Sequence, residues 1–229
     1  MGSAIDPGKR AVGYAAVDRY VRDGECIGLG TGTTAYWAIQ RVGERTAAGE
    51  RFAVVATSVE TERLCRELAI PLVGLLERPM GVAIDGADEV APDWALTKGG
   101  GGALFREKAV ALAAQRFVVI VTENKLVPAL GSFALPVEIV PYAYPYVLRE
   151  IERRIARIEI ARRGGDRPFV TDNGNWILDC RFGRIEDPPA LDLALRSIHG
   201  VVASGIFCGI AAAVLVGDGA GAVRALERA

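Results

Sequence analysis

The sequence predicts an α/β protein with a Rossmann-like parallel sheet flanked by helices and a smaller α+β (ferredoxin-like) domain inserted near the C-terminus. Three observations predict this fold class. Strand-like and helix-like patterns alternate through the first half of the chain, as in a parallel sheet covered by helices on both faces. The pattern changes near Gly131, where prolines cluster at positions 136, 141 and 145. Beyond a charged helical stretch, two short alternating segments are typical of antiparallel strands.

The expected elements follow one another at short intervals. In the first half, helical patterns cover 11–21, 34–43, 59–68 and 103–116, and strand patterns cover 25–29, 52–56, 81–84 and 117–121. In the second half, helical patterns cover 146–155 and 191–198, and strand patterns cover 158–160 and 176–179, with a turn at 172–175. We therefore expect a larger α/β domain formed by residues 1–130 plus 207–229, and a small α+β domain formed by residues 131–206.

One apolar stretch could be mistaken for a membrane helix. Residues 200–217 carry no charge, but they include four glycines and break near Cys208 and Gly209. Two buried strands joined by a turn fit this pattern better than a membrane span. The first residues, 1–6, lack the apolar segment of an export signal. We expect a soluble, cytoplasmic protein without a membrane partner.

Composition and charge exclude several classes of protein. The 229 residues are 51% hydrophobic and 24% charged, as in ordinary globular domains. The net charge of −1 argues against a surface that binds nucleic acid or lies on anionic lipid, although a small phosphorylated ligand needs only a local pocket. His199 is the only histidine, so a multi-histidine zinc site is excluded, and we expect a structural or solvated role for it. The four cysteines are far apart without a Cys-x-x-Cys pair, which predicts reduced thiols and no thiolate metal site.

A loop of glycines and threonines follows the first predicted strand and opens a helix. Its sequence is Gly28-Leu29-Gly30-Thr31-Gly32-Thr33-Thr34. Glycines let backbone N–H groups approach an anion, the helix N-terminus adds positive potential, and threonine hydroxyls add donors. A small phosphate site, a dinucleotide site and a plain tight turn all fit this loop. The next strand ends in Ala56-Thr57-Ser58 rather than in the acid of a dinucleotide site, and the loop has no P-loop lysine.

Two further segments occupy positions where α/β proteins bind ligands. Asp85-Gly86-Ala87-Asp88-Glu89 directly follows a predicted strand, and ligands bind beyond the carboxyl ends of such strands. A solvated turn with one capping aspartate is the alternative interpretation. Lys98-Gly99-Gly100-Gly101-Gly102 contains four consecutive glycines, which permit close approach of the backbone to a ligand beside the Lys98 charge. A flexible linker is the alternative for this segment.

Glu107 is the candidate general base. Its helix is apolar nearly all round beyond the first turns, which predicts a buried helix. The residues three and four positions from Glu107 are all apolar, so its own helix supplies no neighbouring cation. A partly buried carboxylate with a raised pKa suits a base that works near neutral pH, and a structural ion pair with a distant cation is the alternative. Lys125 follows another strand end and is expected at the same rim.

Taken in order, these segments resemble the type A ribose-5-phosphate isomerase family over nearly the whole chain. The resemblance continues in Leu135-Pro136-Val137-Glu138, Val170-Thr171-Asp172-Asn173-Gly174-Asn175 and Gly200-Val201-Val202. Thr33 departs from the family, which usually has serine there, but it keeps the hydroxyl. The aromatic segment Tyr142-Ala143-Tyr144-Pro145-Tyr146 also departs; it lies outside the site motifs, and we expect it to affect a subunit contact.

The resemblance implies interconversion of D-ribose 5-phosphate and D-ribulose 5-phosphate through an enediolate, in the non-oxidative pentose phosphate pathway, without a metal or organic cofactor. It implies that Glu107 is the general base, that Asp85 assists ring opening and that Asp88 holds sugar hydroxyls. Lys98 and the glycine N–H groups would stabilise the enediolate oxygens. The implied substrate-binding residues are Thr31, Gly32, Thr33, Thr34, Asp85, Gly86, Ala87, Asp88, Lys98, Gly99, Gly100, Gly101, Lys125 and Lys9. A sugar phosphate is the expected partner, and a homodimer or homotetramer is the expected assembly.

Two other functions stay open at this point. A non-catalytic sugar-phosphate sensor on the same fold would not need Glu107, and it would normally carry a helix-turn-helix, for which there is no room before Gly28. A nicotinamide-dependent oxidoreductase would bind NADH, which enhancement of NADH fluorescence would reveal.

Overall fold

The computed structural model describes residues 6–227, which fall into two compact units. Unit 1 contains the residues up to Gly86, together with Arg106–Lys125 and the residues from Ile210 onward. Unit 2 contains Ala87–Phe105 and Leu126–Gly209. The domain limits expected from the sequence place 87–105 in the larger domain, and they stay a prediction. Residues 1–5, within the stretch expected to lack an export signal, lie outside the described residues.

Six α-helices and thirteen strands are described between residues 6 and 227. The elements in chain order are α1 (Pro7–Tyr20), β1 (Cys26–Leu29), α2 (Ala35–Ala47), β2 (Ala53–Ala56), α3 (Val59–Glu67), β3 (Met80–Asp85), β4 (Glu89–Val90), β5 (Leu96–Thr97), α4 (Leu104–Ala113), β6 (Ala114–Thr122), β7 (Leu135–Ile139), α5 (Tyr144–Arg154), β8 (Glu159–Arg162), β9 (Trp176–Arg181), α6 (Pro188–Arg196), β10 (Val201–Ser204), β11 (Ile206–Phe207), β12 (Ala211–Gly217) and β13 (Val223–Glu227).

Unit 1 is built on a six-stranded sheet with the order β13-β12-β6-β3-β1-β2. All neighbouring strands are parallel except β13, which is antiparallel to β12. The central strands are buried on both faces, as the four fully buried residues of β1 show, because helices supply the rest of an apolar core. The predicted Rossmann-like parallel sheet is confirmed.

Two helices of unit 1, α1 and α3, begin where the sequence supplies side-chain capping groups. Asp6 accepts a hydrogen bond from the Lys9 N–H, and Pro7 occupies the first helical position of α1, where its missing N–H costs nothing. Ser58 caps α3 by accepting from the N–H of Thr61. These caps explain why α1 begins at residue 7 rather than at the expected residue 11.

A topological switch point places two chain segments side by side in unit 1. β1 and β3 are neighbours; the chain leaves β1 towards β2 on one side, and after β3 it continues towards β6 on the other side. Leu29 pairs with Ile84, and the N–H of Gly30 donates to the Ile84 carbonyl at 2.9 Å. Gly30 and Asp85 therefore emerge next to each other, at the kind of position where open α/β sheets bind ligands.

Unit 2 contains the ferredoxin-like arrangement expected from the sequence. The order along the chain is β7-α5-β8-β9-α6-β10, and the four strands form an antiparallel sheet with the order β10-β7-β9-β8. The pattern of a small α+β domain is confirmed. A separate three-stranded sheet, β11-β5-β4, lies in the same unit.

A buried polar network ties the chain segment before β9 to β7. Glu138 is fully buried, and its Oε1 accepts hydrogen bonds from Thr171 Oγ1 at 3.0 Å and from Asn175 Nδ2 at 2.9 Å. Asn173 Nδ2 donates to the same oxygen at 3.3 Å. A buried carboxylate requires such donors, so this network accounts for the polar residues of the Thr171–Asn175 turn.

Three local expectations are wrong. The helix expected to reach residue 116 ends at Ala113, since β6 begins at Ala114 and includes Arg116. That helix is also not buried all round, because the Leu112 side chain is 62% exposed and Phe105 is 40% exposed. Residues 200–217 form three strands rather than two, since Gly205 separates β10 from β11.

Strands β4, β5, β7 and β13 are found in addition to the expected ones. Across residues 6–227, none of the helices combines the length and the apolarity that crossing a bilayer requires.

Candidate active site

A cavity in unit 1 gathers the candidate phosphate-binding residues. Its volume is about 430 Å³, and Lys9, Thr33, Thr34 and Lys125 all line it. Lys9 Nζ lies 3.1 Å from Thr33 Oγ1, so a residue of α1 and the β1–α2 loop are in direct contact. Two ammonium groups and two threonines around one cavity form a site suited to a phosphate group. The structure thus places Lys125 beside the threonine loop, as the strand ends indicated, and adds Lys9, which only the resemblance had implied.

Asp85 ends β3 beside this loop and is 2% exposed. Its Oδ1 accepts from the N–H of Gly86 at 2.7 Å and from the N–H of Thr31 at 3.2 Å. These donors hold the carboxylate in one orientation at the carboxyl ends of β1 and β3. Asp85 is therefore a fixed acidic group at the switch point rather than a solvated turn residue.

Thr31 points its hydroxyl into the protein. Thr31 Oγ1 lies 2.8 Å from both Thr57 Oγ1 and Ser58 Oγ, and 3.2 Å from Thr61 Oγ1. This hydroxyl cluster occupies the end of β2, where a dinucleotide site would carry an acid. In this structure Thr31 fixes the loop through its side chain, and direct contact between its hydroxyl and a phosphate stays a prediction. Gly32, next to it, is exposed and has φ +106°.

Glu107 lies in α4 and is 4% exposed. Val110, one turn further along, packs against β1 so closely that a Cβ on Gly28 would come within 2.5 Å of Val110 Cγ1. That contact holds α4 against the sheet of unit 1. The neighbouring Arg106 lies 3.8 Å from Glu62 Oε1 of α3, so its charge has a partner at the surface. The expected buried setting of Glu107 is confirmed.

In unit 2, Asp88 and the glycine segment contact each other directly. The N–H of Gly100 donates to Asp88 Oδ2 at 2.7 Å, and a Cβ on Gly100 would lie only 2.5 Å from Asp88 Oδ1. Residues 99–102 form a tight turn in which the Gly102 N–H donates to the Gly99 carbonyl at 2.9 Å. Gly99 and Gly102 have φ of +99° and +86°, which L side chains rarely adopt. The four glycines thus form an ordered turn rather than a flexible linker.

Both the backbone and the ammonium group of Lys98 make contacts within unit 2. It is 2% exposed, and its N–H donates to the Gly205 carbonyl at 2.8 Å. Its ammonium nitrogen lies 5.6 Å from the centre of the Phe207 ring, a cation–π distance. A buried, restrained ammonium is suited to stabilising negative charge that develops on a ligand.

Glu89 links the two strands that carry Asp88 and Lys98. It is 2% exposed and accepts from Thr97 Oγ1 at 2.7 Å, from the Gly131 N–H at 3.0 Å and from the Phe133 N–H at 2.8 Å. Glu89 is the last residue of the Asp85–Glu89 segment, and its local sequence does not indicate a structural role. Its three donors come from β5 and from residues 131–133, which no local pattern connects with it.

Two buried cysteines are unsuited to nucleophilic chemistry, and no metal cluster is found in the described residues. Burial raises the pKa of Cys65 to about 12 and that of Cys180 to about 12, so both thiols stay protonated at neutral pH. Within residues 6–227, no group of three His, Cys, Asp or Glu side chains is placed to hold a metal ion. The expectation of metal independence stays a prediction. His199 is exposed, in line with the solvated role expected for it.

Comparison with known proteins identifies the family. Residues 53–221 match the family model described as ribose 5-phosphate isomerase A (phosphoriboisomerase A). The ribose-5-phosphate isomerase A of Bradyrhizobium diazoefficiens is 43% identical over 98% of this chain and 97% of its own length. The chain belongs to the ribose 5-phosphate isomerase A family. The resemblance inferred from the motifs is thereby confirmed.

Solved structures of ribose 5-phosphate isomerases share the fold over their full lengths. The Methanocaldococcus jannaschii ribose 5-phosphate isomerase A has a TM-score of 0.89 and 41% identity, covering 96% of this chain and 98% of that chain. A D-ribose-5-phosphate isomerase in complex with phospho-erythronic acid has a TM-score of 0.92 and 37% identity, covering 99% of this chain and 100% of that chain. The fold class is that of ribose 5-phosphate isomerase A.

This ribose 5-phosphate isomerase A family member also contains site-related residues that sequence reasoning missed. Arg163 directly follows β8 and donates to the carbonyls of Gly99 and Gly100, while Asp179 of β9 accepts from its guanidinium. The sequence separation of 63 and 64 residues hides these contacts with the glycine turn. Predicting that Arg163 lies beside Asp179 requires knowledge of the pairing register between β8 and β9.

Proposed function

We propose that this chain catalyses the interconversion of D-ribose 5-phosphate and D-ribulose 5-phosphate through an enediolate, with Glu107 as the proton carrier. The observation that carries the proposal is the similarity, over 99% of this chain, to a D-ribose-5-phosphate isomerase in complex with phospho-erythronic acid. That ligand combines a phosphate with a carboxylate, a planar group whose oxygens share negative charge, as the oxygens of an enediolate carry negative charge. The cavity lined by Lys9, Thr33, Thr34 and Lys125 supports the phosphate end.

The proposed reaction needs one mobile proton and fixed groups around it. Asp85 exchanges a proton with the ring oxygen or the anomeric hydroxyl, which opens the sugar ring. Glu107 then removes the proton from C2, and the electron pair of that bond forms the C1–C2 double bond while the C1 oxygen takes negative charge. A proton passes from the C2 oxygen to the C1 oxygen. Glu107 returns its proton to C1, which gives the ketose. A carboxylate serves as the base in triosephosphate isomerase in the same way, a known case.

The remaining groups stabilise charge and orient the sugar. Lys98 and the N–H groups of the glycine turn stabilise the enediolate oxygens, a contribution that depends on donors held in place before the reaction. The buried, restrained setting of Lys98 supports this role. Asp88 holds sugar hydroxyls, with its own orientation set by the Gly100 N–H. Gly86 and Ala87 lie between the two aspartates and complete the proposed binding segment. No metal or organic cofactor takes part in this scheme.

Replacement of Glu107 by glutamine tests the mechanism. Glu107→Gln keeps the shape of the side chain and removes the base, so kcat should fall by about 10²–10⁴-fold with little change in KM. Glu44→Gln is the matched control, because Glu44 forms surface contacts with Tyr14 and Arg41. Incubation in deuterium oxide adds a stricter test by NMR: the wild type should incorporate deuterium at C1 or C2, and the Gln variant hardly at all. Near-normal incorporation by Glu107→Gln would transfer the base role to Asp85 or Asp88.

We further propose that the chain acts in the cytoplasm, in the non-oxidative branch of the pentose phosphate pathway, as a homodimer or homotetramer. Buried cysteines without disulfide partners, such as Cys26, Cys65 and Cys180, suit a reducing compartment. Tyr142 is 96% exposed within the aromatic segment that is expected to affect a subunit contact, and Tyr146 of the same segment is 39% exposed. Light scattering of the purified chain, alone and with Tyr142→Ser, measures the assembly; a monodisperse monomer would contradict the proposal.

A further inference from the structure

Arg163 makes an unusual set of contacts within unit 2. Its Nε and Nη2 donate to Asp179 Oδ2 and Oδ1 at 3.0 and 2.5 Å, so the ion pair is bidentate. Its Nη1 donates to the Gly99 carbonyl at 2.9 Å and reaches the Gly100 carbonyl at 3.3 Å. The side chains of Arg163 and Asp179 are only 18% and 25% exposed. The guanidinium is therefore restrained by one carboxylate and directed at two consecutive peptide groups.

The two peptide groups share one orientation in the glycine turn, with both carbonyls directed at Arg163. No cis peptide bond is found in the described chain, and a trans peptide directs its N–H away from its carbonyl. Because Arg163 binds the carbonyls of Gly99 and Gly100, the N–H groups of Gly100 and Gly101 are directed to the opposite side. The Gly100 N–H donates there to Asp88 Oδ2 at 2.7 Å. The guanidinium thus determines where the turn presents its N–H donors.

Arginine is suited to this task in a way that lysine is not. Its planar fork supplies separate N–H groups for the carboxylate and for the carbonyls, whereas a lysine ammonium is a compact point charge. Donation to a carbonyl also polarises the same peptide and strengthens the N–H on its far side. The turn itself has no side chains that could hold it, and its glycines have wide conformational freedom when unrestrained.

We propose that Arg163, held by Asp179, is a positioning residue that orients the Gly99–Gly102 turn so that its N–H groups can fix Asp88 and stabilise the substrate oxygens. The catalytic meaning of this inference rests on the proposed isomerase function. The orientation of the turn does not depend on that function, and it can be measured without an activity assay.

Kinetics of an Arg163→Ala variant test the catalytic part. Displacing donors by about 1 Å commonly costs 10²-fold in rate, so kcat should fall by about 10- to 10²-fold while KM changes little. Asp179→Asn should lower kcat in the same direction. Arg181→Ala is the matched control, because Arg181 pairs with Glu159 across the same two strands, with 61% and 72% exposed side chains. Its kcat should equal that of the wild type.

Chemical rescue separates positioning from loss of structure. Millimolar guanidinium should raise the kcat of Arg163→Ala in a saturable manner and leave the wild type and Arg181→Ala unchanged. A kcat of Arg163→Ala within twofold of the wild type would overturn the proposal. An equal loss of kcat in Arg181→Ala, or a loss that guanidinium does not restore in the folded variant, would overturn it as well.

Amide hydrogen exchange measures the orientation of the glycine turn independently of isomerase activity. In ¹⁵N-glycine NMR spectra, the Gly100 N–H of Arg163→Ala should exchange with solvent at least tenfold faster than in the wild type, while Arg181→Ala should match the wild type. If the wild type shows no isomerase activity, the proposed function is wrong and the exchange result still decides whether Arg163 orients the turn. Unchanged Gly100 exchange in Arg163→Ala would overturn the inference even in an active enzyme.

Discussion

The carboxylate of Asp85 occupies the space that a side chain at position 30 would need. A Cβ built on Gly30 would lie 2.0 Å from Asp85 Oδ1 and 2.6 Å from the Asp85 Cβ. Both residues belong to unit 1; Gly30 directly follows β1 and Asp85 ends the paired strand β3, so neither can withdraw without disturbing the β1–β3 pairing. The glycine at position 30 is thus a requirement of the buried acid rather than of a bound phosphate alone.

Replacement of Gly30 by alanine should therefore disable the site by displacing Asp85. We expect the kcat of Gly30→Ala to fall by about 10²-fold, the usual cost of moving a catalytic group by about 1 Å. The melting temperature should also fall, because two backbone donors lose their acceptor. Gly81→Ala is the control: it lies on the same strand as Asp85, and its Cβ would meet Glu25 Oε1 at an ordinary 3.4 Å. Equal activity of Gly30→Ala and Gly81→Ala would contradict this account.

Activity should not depend on a metal ion. The proposed scheme uses only carboxylates, the Lys98 ammonium and backbone donors, and the chain contains one histidine. Prolonged treatment with EDTA, followed by measurement of the residual metal content by mass spectrometry, should leave kcat and KM unchanged. A loss of kcat that added Zn²⁺ or Mn²⁺ restores would show that the scheme lacks a component.

Two buried thiols should resist alkylation in the folded protein. Burial raises the pKa of Cys65 and Cys180 from the ordinary 9.0 to about 12, so only about one thiol in 10⁴ is ionised at pH 8. Peptide mass spectrometry after iodoacetamide treatment at pH 8 should find both unlabelled in the native protein and labelled after unfolding in urea. Cys208, which is partly exposed, provides the internal comparison. Rapid native labelling of Cys65 would show that α3 opens readily.

The raised pKa values of the two buried thiols also make the free energy of unfolding decrease at alkaline pH. A raised pKa in the folded state means that the buried thiol stays protonated while the unfolded thiol ionises above its ordinary pKa. The contribution of Cys65 and Cys180 to the free energy of unfolding is therefore fully present below about pH 8.5 and decreases as the pH rises towards 12. Urea denaturation of the wild type and Cys65→Ala at pH 7 and pH 10 measures it: the difference between the two proteins should shrink at pH 10.

The parts of the fold with strong local patterns could be predicted from the sequence. β1, β2 and β3 are short apolar runs followed by glycine or polar residues, so their ends and the ligand-binding side of the sheet were predictable. β4 and β5 have two residues each and form in part because Glu89 accepts from Thr97, a contact without any local pattern. The end of α4 was missed because Ala113 and Ala114 are equally apolar in a helix and in a strand.

In the candidate site, too, some residues could be predicted from local sequence patterns and others could not. Asp85 and Asp88 were predictable as candidates because they stand in the segment that follows the β3 pattern. Lys98 and Glu107 were predictable because the first directly precedes the run of four glycines and the second lies in the helix that follows it. The contact of Arg163 with the Gly99 carbonyl was not predictable, because it depends on the register of β8 and β9 and on a long connection between them. Side chains that act through a second residue are determined by tertiary packing, whereas strand ends are determined by local sequence.

Thr34 offers the cleanest test of the phosphate cavity. It is the N-cap residue of α2, but its side chain makes no capping hydrogen bond, and it lines the cavity together with Lys9 and Lys125. Thr34→Ala should therefore leave the melting temperature nearly unchanged. It should weaken substrate binding by about 1.5–3 kcal/mol, the usual loss for a hydrogen bond to a charged group, which is about 10- to 10²-fold in KM. Chemistry at C1 and C2 is remote from the phosphate, so kcat should change less than KM.

The matched control for Thr34 lies in the same helix. Thr46, near the end of α2, donates its hydroxyl to the Val42 carbonyl at 2.9 Å and does not line the cavity. Thr46→Ala should leave the KM for D-ribose 5-phosphate at the wild-type value, because this hydroxyl serves only its own helix. Titration with inorganic phosphate as a competitive inhibitor completes the test: its inhibition constant should rise in Thr34→Ala and stay constant in Thr46→Ala. Unchanged KM and unchanged phosphate inhibition in Thr34→Ala would move the phosphate out of this cavity, since no other part of the scheme depends on that hydroxyl.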